Sequence, residues 1–481
     1  MLVRGLALLL AFGASLAAAE AAERSVTVDG KVFVSKGLVA VGRMPANLKD
    51  KFGETFGSGS GMTVEAGSWR RNGDAYEGTI ILLPDRGYNA AGTTDYRPRV
   101  NKVTLRFTPG RTTQDGVVAT LADTILLTDA QGQPLSGLDP EAGGVRKATA
   151  AFPDMPETRT GKIALDPEAI ARLADGSYFI SDEYGPYVYR FSAEGKMLGA
   201  IRPPEAFIPM RKGQQHFGSN NPGPEAKAPE PPNPEFGRQN NQGFEGMALT
   251  PDGRKLAVIL QSANRHEGGD SPATRNHVRI LMYDVADPTT PKLASEHVVK
   301  LPIFKAGERT LVAAQSELTA LSDTQFLLLS RDSGNGYGLK GSTSLYRRID
   351  IIDLSKATDI AGSEFDRTRS IAPKGVLDPS IAPATLHGFI DINDGAELSR
   401  FGLRNGAPND RNNLSEKWEA MSLVPALDPA NPQDFFLLVA NDNDFMTQDG
   451  FQVGSPYKDE SGADIDTMIL VWRVTVPTLV R

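Results

Sequence analysis

Four glutamates in this sequence head similar short apolar strings: Glu168 in PEAIARL, Glu245 in FEGMALT, Glu317 in SELTALS and Glu419 in WEAMSLV. A carboxylate that recurs at one place in a repeated string is gathered by the fold into a common neighbourhood. There like charges repel unless protons, cations or basic side chains intervene. The chain has no cysteine and only five histidines, none in an H-x-x-x-H pair, so a zinc site is disfavoured and oxygen ligands point to calcium or magnesium. A second reading pairs the acids with Arg86, Arg265, Arg331 and Lys417 to pin the repeats together, and the two readings are compatible. A fifth string, SGSGMTVE, has the same methionine and small residues but no glutamate at the matching place, and it comes first in the chain. A metal cluster is therefore expected to be lopsided, toward the later repeats.

The elements that position these acids follow from what comes after each string. A β-rich run ends in a polar cluster (TIILLPDRGYN, SYFISDEYGP, LAVILQSANR, FLLLSRDSGN, FFLLVANDND), and then comes a third strand-like string such as VRILMYDV or TMILVWRV. Strand, strand, strand with turn chemistry between them is a meander. Its radial repetition predicts an all-β fold, a β-propeller of four-stranded antiparallel blades. Five repeats are countable, and the stretches 108–140 and 371–400 leave room for a sixth blade. The last repeat stops at its third strand after Trp472, whereas SVTVDGKVFVSKGLVAVG near the N-terminus offers a spare strand, so the N-terminal strand is predicted to close the last blade. In a propeller the innermost strands flank the central channel, which puts Glu168, Glu245, Glu317 and Glu419 in a ring. The ends of the second strands bring Asp182 and Asp442 close to it. A subset of Glu168, Asp182, Glu245, Glu317, Glu419 and Asp442 is expected to hold calcium at the channel mouth.

Bulk properties bound the rest. Residues 1–19 carry one early cation, Arg4, an apolar core and small residues up to Ala19, which is the pattern of a secretory signal peptide and not of a membrane span. A single domain over 25–481 is expected, exported to the periplasm or the extracellular space, monomeric, with no membrane span. Loss of the leader makes the formal charge of −8 one unit more negative, and an acidic surface excludes nucleic acid as a partner. Residues 203–240 are rich in Pro, Gly and Asn and end directly before GFEGM, so they are expected to form a flexible loop insertion at the mouth. GSGSG places Gly59 where a nucleophile elbow needs serine, and no phosphate-cradling loop occurs. Water is then the nucleophile of any hydrolysis.

At SDEYGPYVYRF and GFEGMALTPDG, with LLSRDSG and VANDNDF following in the same order, the sequence resembles the exported phytase-like family, described as having the esterase-like activity of phytase. The resemblance runs from about Gly59 to Val474. It implies a propeller, an exported location and hydrolysis of a phosphate or other ester. Position by position it points to Asp182, Glu183 and Tyr184 in the first motif and to Glu245 in the second. On this reading Glu245, Asp182 and Glu183 are acid–base groups, and a calcium-activated water attacks. Arg86, Arg265, Arg331 and Tyr184 contact a small anionic or ester substrate. The alternatives are a non-catalytic periplasmic propeller that captures a ligand or partner, and a metal-dependent lactonase.

Overall fold

Runs such as KLAVIL and QFLLLSR, apolar at nearly every position, belong to strands buried on both faces. In the computed structural model, which describes residues 23–141, 144–224 and 226–479, each such run is the second strand of a four-stranded antiparallel array. The innermost strands of the arrays are Gly61–Val64, Pro167–Arg172, Phe244–Leu249, Ala314–Ala320 and Trp418–Pro425. Each lies beside the innermost strand of the next array, and the last returns to the first, so the strands enclose a common axis. The result is a propeller-like all-β fold. One short α-helix, Gly395–Ser399, and four 3-10 turns are the helical elements among the described residues. None of these helices is long and apolar enough to cross a membrane.

Successive side chains of a strand point to opposite faces, and here both faces meet a neighbouring array. Tyr178 and Ile180 pack with Ile81 and Leu83 of the preceding array, while Phe179 between them packs with Leu256 and Val258 of the following one. Ala257 and Ile259 then turn the other way to meet Phe326 and Leu328. Leu327 and Leu329 meet Leu437 and Trp472, and Phe436 and Leu438 meet Ile80 and Leu82. The hydrophobic cores are thus wedges between arrays, and the axis is left to other residues.

The N-terminal strand Lys31–Met44 pairs antiparallel with Thr467–Thr475, from Val34 opposite Thr475 to Met44 opposite Thr467, and completes the last array as its fourth strand. A single parallel bridge, Gly42 to Val117, joins this array to the first. The stretches left open for a sixth blade contain Val117–Leu126 and Thr385–Asp391, which pair as outer strands of the first and fourth arrays. The signal sequence lies outside the described residues.

Residues 203–240 pack more closely than their composition predicts. Phe207 and Phe217 are buried in two of the wedges. The buried guanidinium of Arg238 donates to the carbonyls of Tyr184, Phe217 and Gln239, and that of Arg211 to the carbonyls of Pro231, Pro232 and His216. Where prolines cannot donate to a ladder, arginines satisfy the free carbonyls instead.

Candidate functional site: an acidic mouth on the axis

Every innermost strand that carries one of the repeated glutamates has a register shift around that residue. The shifts fall between Pro167 and Ile170, Phe244 and Met247, Gln315 and Glu317, and Trp418 and Ala420. The first innermost strand, which lacks the glutamate, pairs in regular register from Gly61 to Val64. An extra residue in one strand bends it and re-aims its side chain. The bulges therefore turn the carboxylates out of the wedge packing. Glycine beside the carboxylate position permits close approach of the next strand: a Cβ on Gly61 would stand 2.6 Å from the Glu168 carbonyl oxygen, and one on Gly246 would stand 2.9 Å from the Leu318 nitrogen.

The mouth is a polar cavity of about 420 Å³. Seven acids line it, Asp85, Glu168, Glu183, Glu245, Glu416, Glu419 and Asp444, against three cations, Arg86, Arg331 and Lys417. The cations are all engaged. Arg86 Nη1 donates to Asp166 Oδ2 at 2.6 Å and to Asn241 Oδ1, Arg331 Nη2 donates to Glu419 Oε1, and Lys417 Nζ lies 3.0 Å from Asp442 Oδ2 and 2.8 Å from Asp444 Oδ1. Asn240, Asn241 and Gln242 line the cavity too, so the end of the 203–240 segment and the residues after it form part of the rim.

The residues singled out in the sequence separate into distinct environments. Glu168, Glu245 and Glu419 reach the cavity, whereas Glu317 is not among its lining residues and its Oε1 accepts the backbone N–H groups of Met247 and Leu318. Asp182 is buried behind the mouth. Its Oδ1 accepts the N–H groups of Asp166 and Tyr184 and its Oδ2 that of Gly185, so it holds the turn that carries Glu183. Asp442 is bound by Lys417, Ser60 and the Asp444 N–H. Glu183, Arg86 and Arg331 line the cavity. Tyr184 does not: its ring lies near the Arg86 guanidinium, and its hydroxyl donates to the Gly137 carbonyl at 2.7 Å. Arg265 lies on a 3-10 turn, Arg265–Glu267, outside the lining, with Nη1 3.5 Å from Gln239 Oε1.

Two groups of carboxylates are close enough to share an ion: Asp85, Asp442 and Asp444, and Asp166, Glu168 and Glu183. Asp166, Asp444 and Glu416 escape a reading by repeats because they stand outside the repeated position. For Asp166 a signal exists in ALDPE, an acid two residues before a repeat glutamate. The two groups differ in what already neutralises them. In the first, Lys417 touches all three acids. In the second, Arg86 binds only Asp166, and Glu183 Oε1 and the neighbouring Glu245 Oε2 are buried oxygens with no hydrogen-bond partner. Gln261 donates to Glu245 Oε1 at 2.9 Å. An unpartnered buried carboxylate oxygen is costly, and a hard cation is a ligand that would satisfy it.

Burial, reinforced by neighbouring acids, pushes Glu168, Glu245 and Asp85 well above the usual carboxylate range, and burial together with Asp166 pushes Glu183 up to about 8. Burial raises Asp182 to about 7 against the pull of its three N–H donors. An acid whose pKa is higher in the folded state than in the unfolded state binds protons more tightly when folded. Its stabilising contribution is complete below the unfolded value and is lost as pH rises through the folded one. His216 and His266, pushed by burial down to about 4, act in the opposite sense only below their unfolded value of about 6.5. Metal-free protein is therefore expected to lose thermal stability between pH 6.5 and 9 in differential scanning fluorimetry. A midpoint that holds or rises across that window would contradict the assignment of these carboxyls.

An all-β ring of arrays with an acidic, oxygen-lined axial mouth is the class that the fold and the site define. The chain belongs to the phytase-like family, esterase-like activity of phytase, whose profile matches residues 55–445. It is 41% identical over 452 residues to an uncharacterized secreted protein of Arthroderma benhamiae, covering 86% of this chain and 88% of that one. Like that relative, the chain is exported. Among solved structures it is similar to a gluconolactonase from Xanthomonas campestris (10% identity, TM-score 0.25, covering 86% of this chain and 96% of that one). It is also similar to a calcium-binding protein, regucalcin, from Agrobacterium tumefaciens (7% identity, TM-score 0.27, covering 87% and 94%). Likeness at this level carries no argument about the site.

Proposed function

We propose that the chain is an exported five-bladed propeller that hydrolyses phosphate or other esters at the axial mouth with the help of a bound calcium ion. The observation that supports this reading is the set of uncommitted, buried carboxylate oxygens on Glu183 and Glu245, beside Glu168, in a cavity large enough for a small substrate. Asp166, Glu168 and Glu183 would hold the ion, and a donor set made of carboxylate oxygens suits calcium. Bound there, calcium would supply the positive charge that offsets carboxylate repulsion and would polarise the ester oxygen.

The chain's own residues do the rest. Glu245, fixed through Oε1 by Gln261 and open at Oε2, takes the proton of the attacking water. The water oxygen bonds to the acyl carbon or phosphorus, the bond to the leaving oxygen breaks, and Glu245 returns the proton it took to that oxygen, so the leaving group departs as the neutral alcohol. Asp182 positions Glu183 through its turn, and Asp166 holds Arg86 at the cavity wall.

Chelator-treated protein assayed on p-nitrophenyl phosphate, p-nitrophenyl acetate and a δ-lactone, with and without added calcium, tests the reading. Calcium-dependent turnover of at least one is expected, and Glu245→Gln is expected to lower it by about 10²-fold or more. Turnover confined to the lactone would make the protein a lactonase. Calcium binding without turnover of any of the three would favour the ligand-capturing reading.

A further inference from the structure

The two carboxylate groups in the mouth look equivalent as donor sets, yet one of them already contains a charge of the right sign. We infer that the mouth is a one-metal site in which the ammonium of Lys417 occupies the place of a second divalent cation. The inference rests on the reading of the mouth as a calcium site.

Lys417 Nζ stands 3.0 Å from Asp442 Oδ2, 2.8 Å from Asp444 Oδ1, 3.6 Å from Glu419 Oε2 and 4.0 Å from Asp85 Oδ2. Two carboxylates within hydrogen-bond distance and two more within 4.0 Å surround this one ammonium, which is more than a single ion pair. Other oxygens of this group are committed as well, although Glu419 Oε2 faces the ammonium without a hydrogen bond. Asp442 Oδ1 accepts the Asp444 N–H at 2.9 Å, Asp442 Oδ2 accepts the Ser60 hydroxyl, and Asp85 Oδ1 accepts the Gly87 N–H at 2.9 Å. An ion entering here would have to displace the lysine and break some of these bonds.

In the other group the cation is an arginine at the edge. Arg86 engages Asp166 through its backbone N–H and through Nη1 and leaves Glu168 and Glu183 to the cavity. Guanidinium is a planar fork that meets carboxylates along its edges, whereas ammonium is a compact point charge that can take the place of a small cation. The choice of lysine in one group and arginine in the other therefore decides which is filled and which is open. Sequence carries the same asymmetry. Lys417 stands two residues before Glu419, just ahead of the strand Trp418–Pro425, and Asp166 stands two residues before Glu168, just ahead of the strand Pro167–Arg172. At one repeat position the chain has a cation, and at the other a further ligand.

The test counts calcium ions by equilibrium dialysis of chelator-treated full chain at pH 8, with calcium alone as the probe. The native protein is expected to bind one ion at the mouth, Lys417→Gln two, and Lys417→Gln combined with Asp442→Asn one again. Glu183→Gln is expected to bind none. Two ions in the native protein, or one ion unchanged in Lys417→Gln, would overturn the role given to the lysine while leaving the calcium reading intact. No ion in either would overturn the calcium reading and this inference with it. Should Lys417→Gln prove too unstable to purify, Asp442→Asn alone decides: one ion, as in the native protein, is expected, and loss of that ion would place the calcium in the lysine's group and overturn the role given to Lys417.

Discussion

A chain lacking residues 24–44 is expected to show no cooperative unfolding transition. The strand Lys31–Met44 is the fourth of the last array, and it brings Phe33, Leu38, Val41 and Met44 into burial. At roughly 1.5–3 kcal/mol per large buried apolar side chain, these four contribute on the order of 6–12 kcal/mol. That is comparable to the whole net stability of a typical domain, about 5–15 kcal/mol. The deletion also strips one of the two rows of backbone partners of Thr467–Thr475 and removes the bridge to the first array at Val117, so the ring opens at a seam and not merely at a frayed end. Circular dichroism during a thermal ramp reads the outcome. A sharp transition at the temperature of the intact chain would show that the ring does not depend on its N-terminal closure.

Lys417→Gln is expected to destabilise the metal-free protein at pH 8 by about 3–5 kcal/mol, the usual cost of removing one partner from a buried ionic group. The lysine side chain is only 22% exposed and faces Asp85, Asp442, Asp444 and Glu419. Coulombic attraction from those four acids outweighs burial and holds its pKa well above the usual range. Without it, neighbouring carboxylates must stay protonated or repel. The sign with pH follows: Asp85, already pushed well above the usual range by burial and by Asp442, carries its proton in acid, so the loss shrinks as pH falls. Calcium should restore much of the deficit, because it replaces the missing charge. Denaturant titrations at pH 8 and pH 5.5 check both points. A cost below about 0.5 kcal/mol at pH 8, the range of an ordinary surface substitution, would mean that the lysine is not the counter-ion of this group.

The ring of arrays was legible because the same string recurs and because the last repeat lacks an outer strand that the N-terminus can supply. The outer strands themselves were not, since Val117–Leu126 and Thr385–Asp391 have half-exposed faces and follow long connections, which leaves no continuous apolar run to mark them. At the site, repetition pointed to four glutamates but could not tell Glu317 from its counterparts. The difference lies in which backbone N–H groups each carboxylate meets, and the bulges that set this have no composition of their own. Asp166 was hidden for the opposite reason: it matters through its contact with Arg86, some 80 residues earlier in the chain. The 203–240 segment looked unpackable because proline and glycine offer few contacts, and the buried arginines that anchor it read as surface charges in a sequence.

Isothermal calorimetry of chelator-treated protein titrated with calcium at pH 8, beside the Glu183→Gln variant, decides whether the mouth holds calcium. Heat of binding in the native protein and its loss in the variant are predicted. A matching rise in thermal stability should accompany binding, worth about 2.7 kcal/mol at a hundredfold excess over the dissociation constant. Absence of any calcium-dependent heat in the native protein, with its stability unchanged, would contradict the account and return the acidic mouth to a set of inter-blade ion pairs.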